Sequence, residues 1–157
     1  FFSFILTMMS FDLEDLILSF NEKTPVRLIG GFQIFIAVAL GMLWIGMILP
    51  PLMKGTVPLG LEHYTTLVIQ GLDLGFIVPA AFISGFLIIQ RKSFGFLLSS
   101  VILIKGITMG TALTAMIIGQ AYAGVELGFI EIIIFPVFNV IVVYTAFLLL
   151  KNVKEKG

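Results

Sequence analysis

Long apolar stretches alternate with short polar segments along this chain, and four of the stretches are long enough to cross a lipid bilayer. A membrane-spanning helix needs about 20 mostly apolar residues. The pattern predicts such helices over residues 28–49, 65–89, 94–118 and 127–150, the second starting near Leu61. The predicted fold class is all-α: a polytopic transmembrane helix bundle that forms a single domain. Because the connecting segments are short, neighbouring helices should run antiparallel.

Prolines mark where the predicted helices should begin, end or bend. Thr24-Pro25 is typical of a helix start, because the hydroxyl can cap the helix and proline lacks an N–H that the first turn does not need. Pro50-Pro51 predict the end of the same helix. Pro79 is predicted to bend the second long helix.

Small residues at four-residue spacing predict close contacts between helices. Gly106, Gly110 and Thr114 form one such strip on the third long helix. Ala37 and Gly41 form a second strip on the first long helix. Both strips are expected to face neighbouring helices.

The first twenty residues predict two shorter elements. Residues 1–10 are apolar and predict a truncated N-terminal helix, with a short interfacial segment as the alternative. Leu13, Leu16, Ile17 and Phe20 follow the spacing of one helix face. They predict a short amphipathic cytoplasmic helix that lies on the membrane surface or covers the bundle end. The alternative is a continuation of the N-terminal helix.

The composition excludes several classes of protein. Hydrophobic residues make up 59% of the 157 residues and charged residues 11%, against about 25% charged residues in soluble domains. Mean hydropathy is +1.16. The absence of cysteine excludes disulfides and thiol catalysis. His63 is the single histidine, so one chain cannot supply a bis-histidine haem or an H-E-x-x-H zinc site. No metal site is predicted, and no cofactor is indicated.

The lysines and arginines of the connecting segments predict the orientation. Seven of these basic residues fall on one predicted side of the membrane, and Lys54 alone lies in a loop on the opposite side. The positive-inside rule therefore predicts a cytoplasmic C-terminus, in a bacterial inner or plasma membrane. The net charge is zero, and no basic run suits nucleic acid or lipid headgroups. The predicted partners are the lipid bilayer and a homo-oligomer or larger membrane complex. The basic residues on the predicted cytoplasmic side are Lys23, Arg27, Arg91, Lys92, Lys151, Lys154 and Lys156.

Three charged side chains interrupt the apolar stretches: Asp73, Lys105 and Glu131. A charge at the bilayer centre costs about 2.5–3.5 kcal/mol, so these residues should turn inward and find partners. Asp73 lies about 25 Å, and Lys105 about 18 Å, from the cytoplasmic ends of their predicted helices. A pair between them is possible. Because helical side chains lean toward their N-terminus, Asn139 or a backbone carbonyl is the easier partner for Lys105.

These charges predict a polar pocket that opens outward. His63, Thr66, Gln70 and Asp73 share one helix face, and Lys105 would form the pocket floor. In the alternative, Asp73 and Lys105 form a neutralising pair, the glutamate is solvated or protonated, and the histidine is solvated or caps a helix. Trp44 is interpreted as an interfacial anchor, with the lining of a pocket as the alternative, and Gln33 as a bridge between helices. The predicted ligand-binding residues are Asp73, Lys105, Glu131, Gln70, His63 and Asn139.

The pattern favours a binding or transport module that takes a polar or protonatable ligand from the outer face. A structural or accessory subunit of a larger membrane complex is the first alternative. A membrane enzyme that uses Asp73, Glu131 and His63 on a lipid-linked substrate is the second. Catalytic motifs are weak: a second intramembrane aspartate and a G-x-S-x-G elbow are both absent. The sequence leaves open whether the protein is an enzyme.

Overall fold

A computed structural model describes residues 2–12, 20–56, 67–124 and 129–153. The described part of the chain is all-helical, apart from turns and one isolated β-bridge. The prediction of an all-α bundle with four membrane-length helices is confirmed. The helices are α1 (Phe2–Met9), α2 (Val26–Lys54), α3 (Val68–Ile89), α4 (Ser93–Tyr122) and α5 (Phe129–Leu150).

The prediction that Pro50 and Pro51 end the first long helix is wrong. Helix α2 continues to Lys54 and ends at Gly55, which has a left-handed φ of 63°. A proline removes its own N–H bond but keeps a helical φ, so the helix continues and two carbonyls one turn earlier lose their donors. These carbonyls lie near the end of the apolar stretch, where water or headgroups can reach them.

The start of α2 also differs from the predicted cap. Thr24 is buried, and its hydroxyl donates to the carbonyl oxygen of Asn21 at 2.6 Å instead of capping the helix. Pro25 occupies the cap position itself, with φ −76° and ψ 63°. The hydroxyl therefore stabilises the turn that leads into α2 rather than the first helical turn.

Helix α3 begins later than predicted. Leu67 precedes it with non-helical φ −84° and ψ 70°, so the helix that carries Asp73 starts at Val68 and not near Leu61. His63 and Thr66 lie outside the described residues. Of the predicted four-residue helix face, only Gln70 and Asp73 are described. Residues 13–19 of the predicted amphipathic helix also lie outside the described residues, and the last residue of its face, Phe20, forms a β-bridge instead of a helical turn.

The distortion predicted at Pro79 takes the form of a wider helical turn. Residues Asp73–Ile77 of α3 are a π-helix, in which the N–H of Val78 donates to the carbonyl oxygen of Asp73, five residues earlier. In a regular α-helix the Pro79 ring would clash with the carbonyl of Gly75. The wider turn relieves this clash, and it places Asp73 at the point where the helix geometry changes.

Each long helix packs against the next one along the chain. Helices α2 and α3 approach most closely at Gly30 and Gly85. A Cβ atom at Gly30 would lie 2.5 Å from the carbonyl oxygen of Gly85, and a Cβ at Gly85 would lie 2.7 Å from that of Gly30. A Cβ atom at either position would prevent this backbone contact, so both residues must be glycine. The contact sets the register of α2 against α3.

The predicted small-residue strips do lie at helix contacts. Ala37 is 1% exposed, and Gly41 is buried with Val78 within 3.5 Å of its Cβ position. On α4, the Cβ position of Gly106 is 3.0 Å from a methyl group of Val142, and Gly110 is in contact with Asn139. The strips therefore join α2 to α3 and α4 to α5.

One end of the bundle, here called the basic end, contains the starts of α2 and α4 and the ends of α3 and α5. Phe20 stacks on Phe96 there at a centroid distance of 4.5 Å. Phe20 also forms an antiparallel β-bridge with Val153, so it ties the segment before α2 to the segment after α5. The basic end carries Lys23, Arg27, Arg91, Lys92 and Lys151.

Candidate functional site

The Asp73 carboxylate is held by a tryptophan and not by a lysine. The indole N–H of Trp44 donates to Oδ2 of Asp73 at 3.1 Å, and both residues are partly buried. This bond joins α2 to the first residue of the π-helix in α3. Trp44 was interpreted as an interfacial anchor, so its role at the aspartate was missed. The sequence carries no local signal for this pair, because Trp44 lies ten residues before the end of α2 and Asp73 five residues after the start of α3.

Gln70 lies one turn before Asp73 in α3 and is partly buried. No hydrogen bond of its side-chain amide to another described residue is present. It is therefore near the carboxylate in sequence and on the helix, while a role in binding stays a prediction.

Lys105 is not buried within the described bundle. Its side chain is exposed on α4, and the described residues include no acceptor for its ammonium group. Its backbone carbonyl accepts a hydrogen bond from the Thr108 hydroxyl at 2.9 Å. Among the described residues Lys105 pairs with none of its predicted partners, which are Asp73, Asn139 and a backbone carbonyl. Oδ2 of Asp73 accepts from Trp44, and Lys105 lies on an exposed face of α4.

Asn139 belongs to the contact between α4 and α5. Its amide Nδ2 donates to the hydroxyl of Thr111 at 3.3 Å. Its buried Oδ1 has no hydrogen-bond partner among the described residues and lies 2.7 Å from the Cβ position of Gly110. A glycine Cα–H facing the oxygen supplies at most a weak hydrogen bond. The predicted pairing of Asn139 with Lys105 is therefore absent.

The remaining two predicted residues cannot be placed in a site. Glu131 lies in the first turn of α5, but its side chain is outside the described residues, as is the whole of His63. The described side chains of Asp73, Lys105 and Asn139 do not converge on one pocket. Ligand binding by the six residues, and the pocket that would join them, stay predictions.

Gln33 is the largest fully buried polar side chain in the described chain, and it is 1% exposed. Its Oε1 accepts hydrogen bonds from the Ser84 hydroxyl at 3.1 Å and the Ser99 hydroxyl at 2.9 Å. Its Nε2 donates to the backbone carbonyl of Ser99 at 3.3 Å. The interpretation of Gln33 as a bridge is confirmed, and its partners on α3 and α4 are the two serines that sequence reasoning missed.

No protein-family model, curated protein or solved structure matches the chain. The interpretation therefore depends on the geometry of these side chains. In the described ranges, no group of three or more His, Asp or Glu side chains could hold a metal ion.

The polar groups of the bundle divide into two kinds. Gln33, Asn139 and Asp73 each join two or more helices by hydrogen bonds. Lys105, in the middle of α4, faces outward with no partner among the described residues. The first kind stabilises the fold, whereas the side chain of Lys105 is not engaged by the described part of the chain.

Proposed function

We propose that this protein is a membrane-embedded accessory subunit that assembles with an acidic transmembrane helix of another protein through α4. The observation that carries the proposal is the exposed side chain of Lys105, which has no acceptor in the described part of the chain. The contacting surface, here called the Lys105 face, consists of Lys105, Thr108, Ala112 and Ala115, all of them exposed.

The position of Lys105 makes exposure to lipid unfavourable. Arg91 and Lys92 place the start of α4 at the polar interface, and Lys105 follows Ser93 by about 18 Å at 1.5 Å per residue. The side chain leans toward the basic end and recovers about 6 Å of this distance. The ammonium then lies about 12 Å deep, inside the hydrocarbon half-thickness of about 15 Å. A cation facing acyl chains near mid-bilayer costs about 2.5–3.5 kcal/mol.

The remainder of the Lys105 face favours close approach of another helix. Thr108, Ala112 and Ala115 are small, and small residues allow two membrane helices to come into backbone contact. A two-fold contact between copies of this chain would bring two Lys105 ammonium groups together, and like charges repel. A partner helix with an aspartate or glutamate at this depth supplies the opposite charge instead.

Photo-crosslinking in membranes tests the assembly. A photo-reactive side chain in place of Thr108 should give an adduct whose partner peptide carries a carboxylate within an apolar stretch. Lys105→Met should lower the yield by about tenfold, because it removes a paired intramembrane charge, and Lys105→Arg should retain the adduct. Lys105→Glu should also lose the adduct. Replacing the acidic residue of the partner by lysine should then restore crosslinking to this variant.

A photo-reactive group in place of Val140 is the matched control. Val140 is 67% exposed on α5 and lies outside the Lys105 face, so it should give lipid adducts only. A homodimer adduct from position 108, or equal yields with lysine and methionine at position 105, would contradict the proposal.

Asp73 supports a second candidate function, the binding of a cationic ligand in the predicted outward-facing part of the bundle. Oδ2 is held by Trp44, while no described residue places a donor within hydrogen-bond distance of Oδ1. A carboxylate beside an indole ring suits an organic ammonium ion, because the carboxylate supplies opposite charge and the ring face attracts cations. A binding or transport role would use this site.

Binding of tetraphenylphosphonium to the purified protein tests the second function. Asp73→Asn should weaken saturable binding by about tenfold, because it removes the negative charge that the described part of the site supplies. Trp44→Phe keeps an aromatic ring but removes the N–H donor, and it should weaken binding less. Thermal unfolding of both variants distinguishes lost binding from lost folding. Equal binding by Asp73→Asn and the natural protein eliminates this function.

A further inference from the structure

A groove at the basic end lies between the start of α2 and the turn that joins α3 to α4. Its volume is ≈ 540 Å³, and it is open to the surface. It is lined by Arg27 and Leu28 of α2, by Ile89 and Arg91, and by residues 24–26. The groove thus combines two guanidinium groups with an apolar wall.

Arg91 is held in place by unusual backbone geometry and by two hydrogen bonds. Its φ of 55° is left-handed, a conformation that is unfavourable for a residue with a Cβ atom. Its Nη2 donates to the carbonyl oxygens of Glu22 at 2.6 Å and Thr24 at 3.3 Å. A glycine or asparagine would adopt this turn with less strain. The arginine at this position is therefore oriented by the chain that leads into α2, with further N–H donors remaining.

The charge of the groove is not neutralised by the described residues. No carboxylate lines it, and neither Arg27 nor Arg91 forms a salt bridge within the described ranges. Glu22 contributes its carbonyl oxygen to Arg91, not its carboxylate. The apolar wall includes Leu28, which is 52% exposed, and Ile89. A group with two negative oxygens beside a hydrocarbon chain matches both parts of the surface.

We infer that this groove binds a phosphate group, supplied by the headgroup of an anionic phospholipid. Arginine forks bind phosphate oxygens in a bidentate way, which lysine cannot reproduce. The groove lies where the polar interface meets the ends of the membrane-length helices, so an acyl chain of the same lipid can lie along Leu28 and Ile89. The inference uses residues separate from the Lys105 face and does not depend on the proposed assembly.

Native mass spectrometry of the delipidated protein tests this inference with phosphatidylglycerol, phosphatidylcholine and inorganic phosphate as probes. Phosphatidylglycerol should bind about tenfold more tightly than phosphatidylcholine. Arg27→Gln and Arg91→Gly should each weaken the binding of phosphatidylglycerol by about tenfold, because each removes a charge-assisted contact. Arg91→Lys, which keeps the charge but loses the fork, should be intermediate.

Lys92→Gln is the matched control, because Lys92 is exposed in the same turn as Arg91 and does not line the groove. It should change phosphatidylglycerol binding by less than about twofold, as expected for an exposed charge. An equal loss in Lys92→Gln and Arg91→Gly would overturn the inference in favour of general attraction to the basic end. Binding of inorganic phosphate alone, with no selectivity between the lipids, would overturn the assignment to a phospholipid. If Arg91→Gly fails to fold, Arg27→Gln and Arg91→Lys still decide the outcome.

Discussion

Gly30→Ala is expected to destabilise the bundle, whereas Gly31→Ala is expected to leave it unchanged or make it more stable. A Cβ atom at Gly30 would lie 2.5 Å from the carbonyl oxygen of Gly85 and 2.5 Å from Cγ1 of Ile89. The Cβ position of Gly31 has no atom within 4 Å. The two glycines are adjacent in α2, so the same substitution is compared in nearly the same helical position.

The expected changes in the free energy of unfolding differ in sign between the two variants because two effects compete. Glycine-to-alanine in a helix interior is favourable by about 1 kcal/mol from backbone propensity. At Gly30 the added methyl group meets backbone and forces α2 away from α3, and overpacking of this kind costs about 1–3 kcal/mol. A larger residue, as in Gly30→Leu, should prevent the close contact altogether. Unfolding in mixed micelles by added sodium dodecyl sulfate measures the free energy of unfolding.

A further variant makes this prediction sharper. Gly85 lies opposite Gly30, so Gly85→Ala should also destabilise the protein. Because both substitutions separate the same pair of helices, the double variant should lose less stability than the two single losses added together. Equal stabilities for Gly30→Ala and Gly31→Ala would show that the crossing is looser than its geometry implies.

Ser84→Ala and Ser99→Ala together are expected to cost more stability than the two single substitutions added. Oε1 of Gln33 accepts from both hydroxyls, at 3.1 and 2.9 Å, so either serine alone still satisfies it. A single hydrogen bond between membrane helices contributes about 0.6 kcal/mol on average. Removing both donors leaves a buried amide oxygen without a partner, at a cost of about 1–3 kcal/mol.

Gln33→Leu provides the complementary measurement. It removes the acceptor, and Ser84 can still donate to the carbonyl oxygen of Ala81 at 2.9 Å. In the Gln33→Leu background, the two serine substitutions should therefore become nearly additive and small. The free energy of unfolding across this set of variants measures the coupling. Additive losses in the natural background would exclude a shared acceptor.

The predicted polar pocket stays a prediction, while the contacts of its described residues differ from those expected. Intramembrane charges are expected to turn inward and find partners. Asp73 does so through Trp44, an uncharged donor that carries no sign of this role in its position as an interfacial aromatic residue. Lys105 remains exposed on α4. The cost of a lone charge in lipid can be met by a second protein as well as by a fold.

Sequence alone determined that the protein has four membrane-length helices and approximately where each one lies. The reason is physical: the transfer of an apolar segment into a bilayer depends on local composition, summed over about 20 residues. Helix ends were less predictable. Pro50 and Pro51 lie inside α2, because the cost of a missing N–H depends on what surrounds the carbonyls that it leaves unpaired.

The tertiary structure alone decided which polar groups meet, because contact depends on the register and rotation of each helix. The Gly30–Gly85 crossing sets the register of α2 against α3, and between these helices lie the bonds from Trp44 to Asp73 and from Ser84 to Gln33. The groove at the basic end joins two arginines, at positions 27 and 91, that no local basic run would indicate. Composition sets the environment of each helix, and packing sets its neighbours.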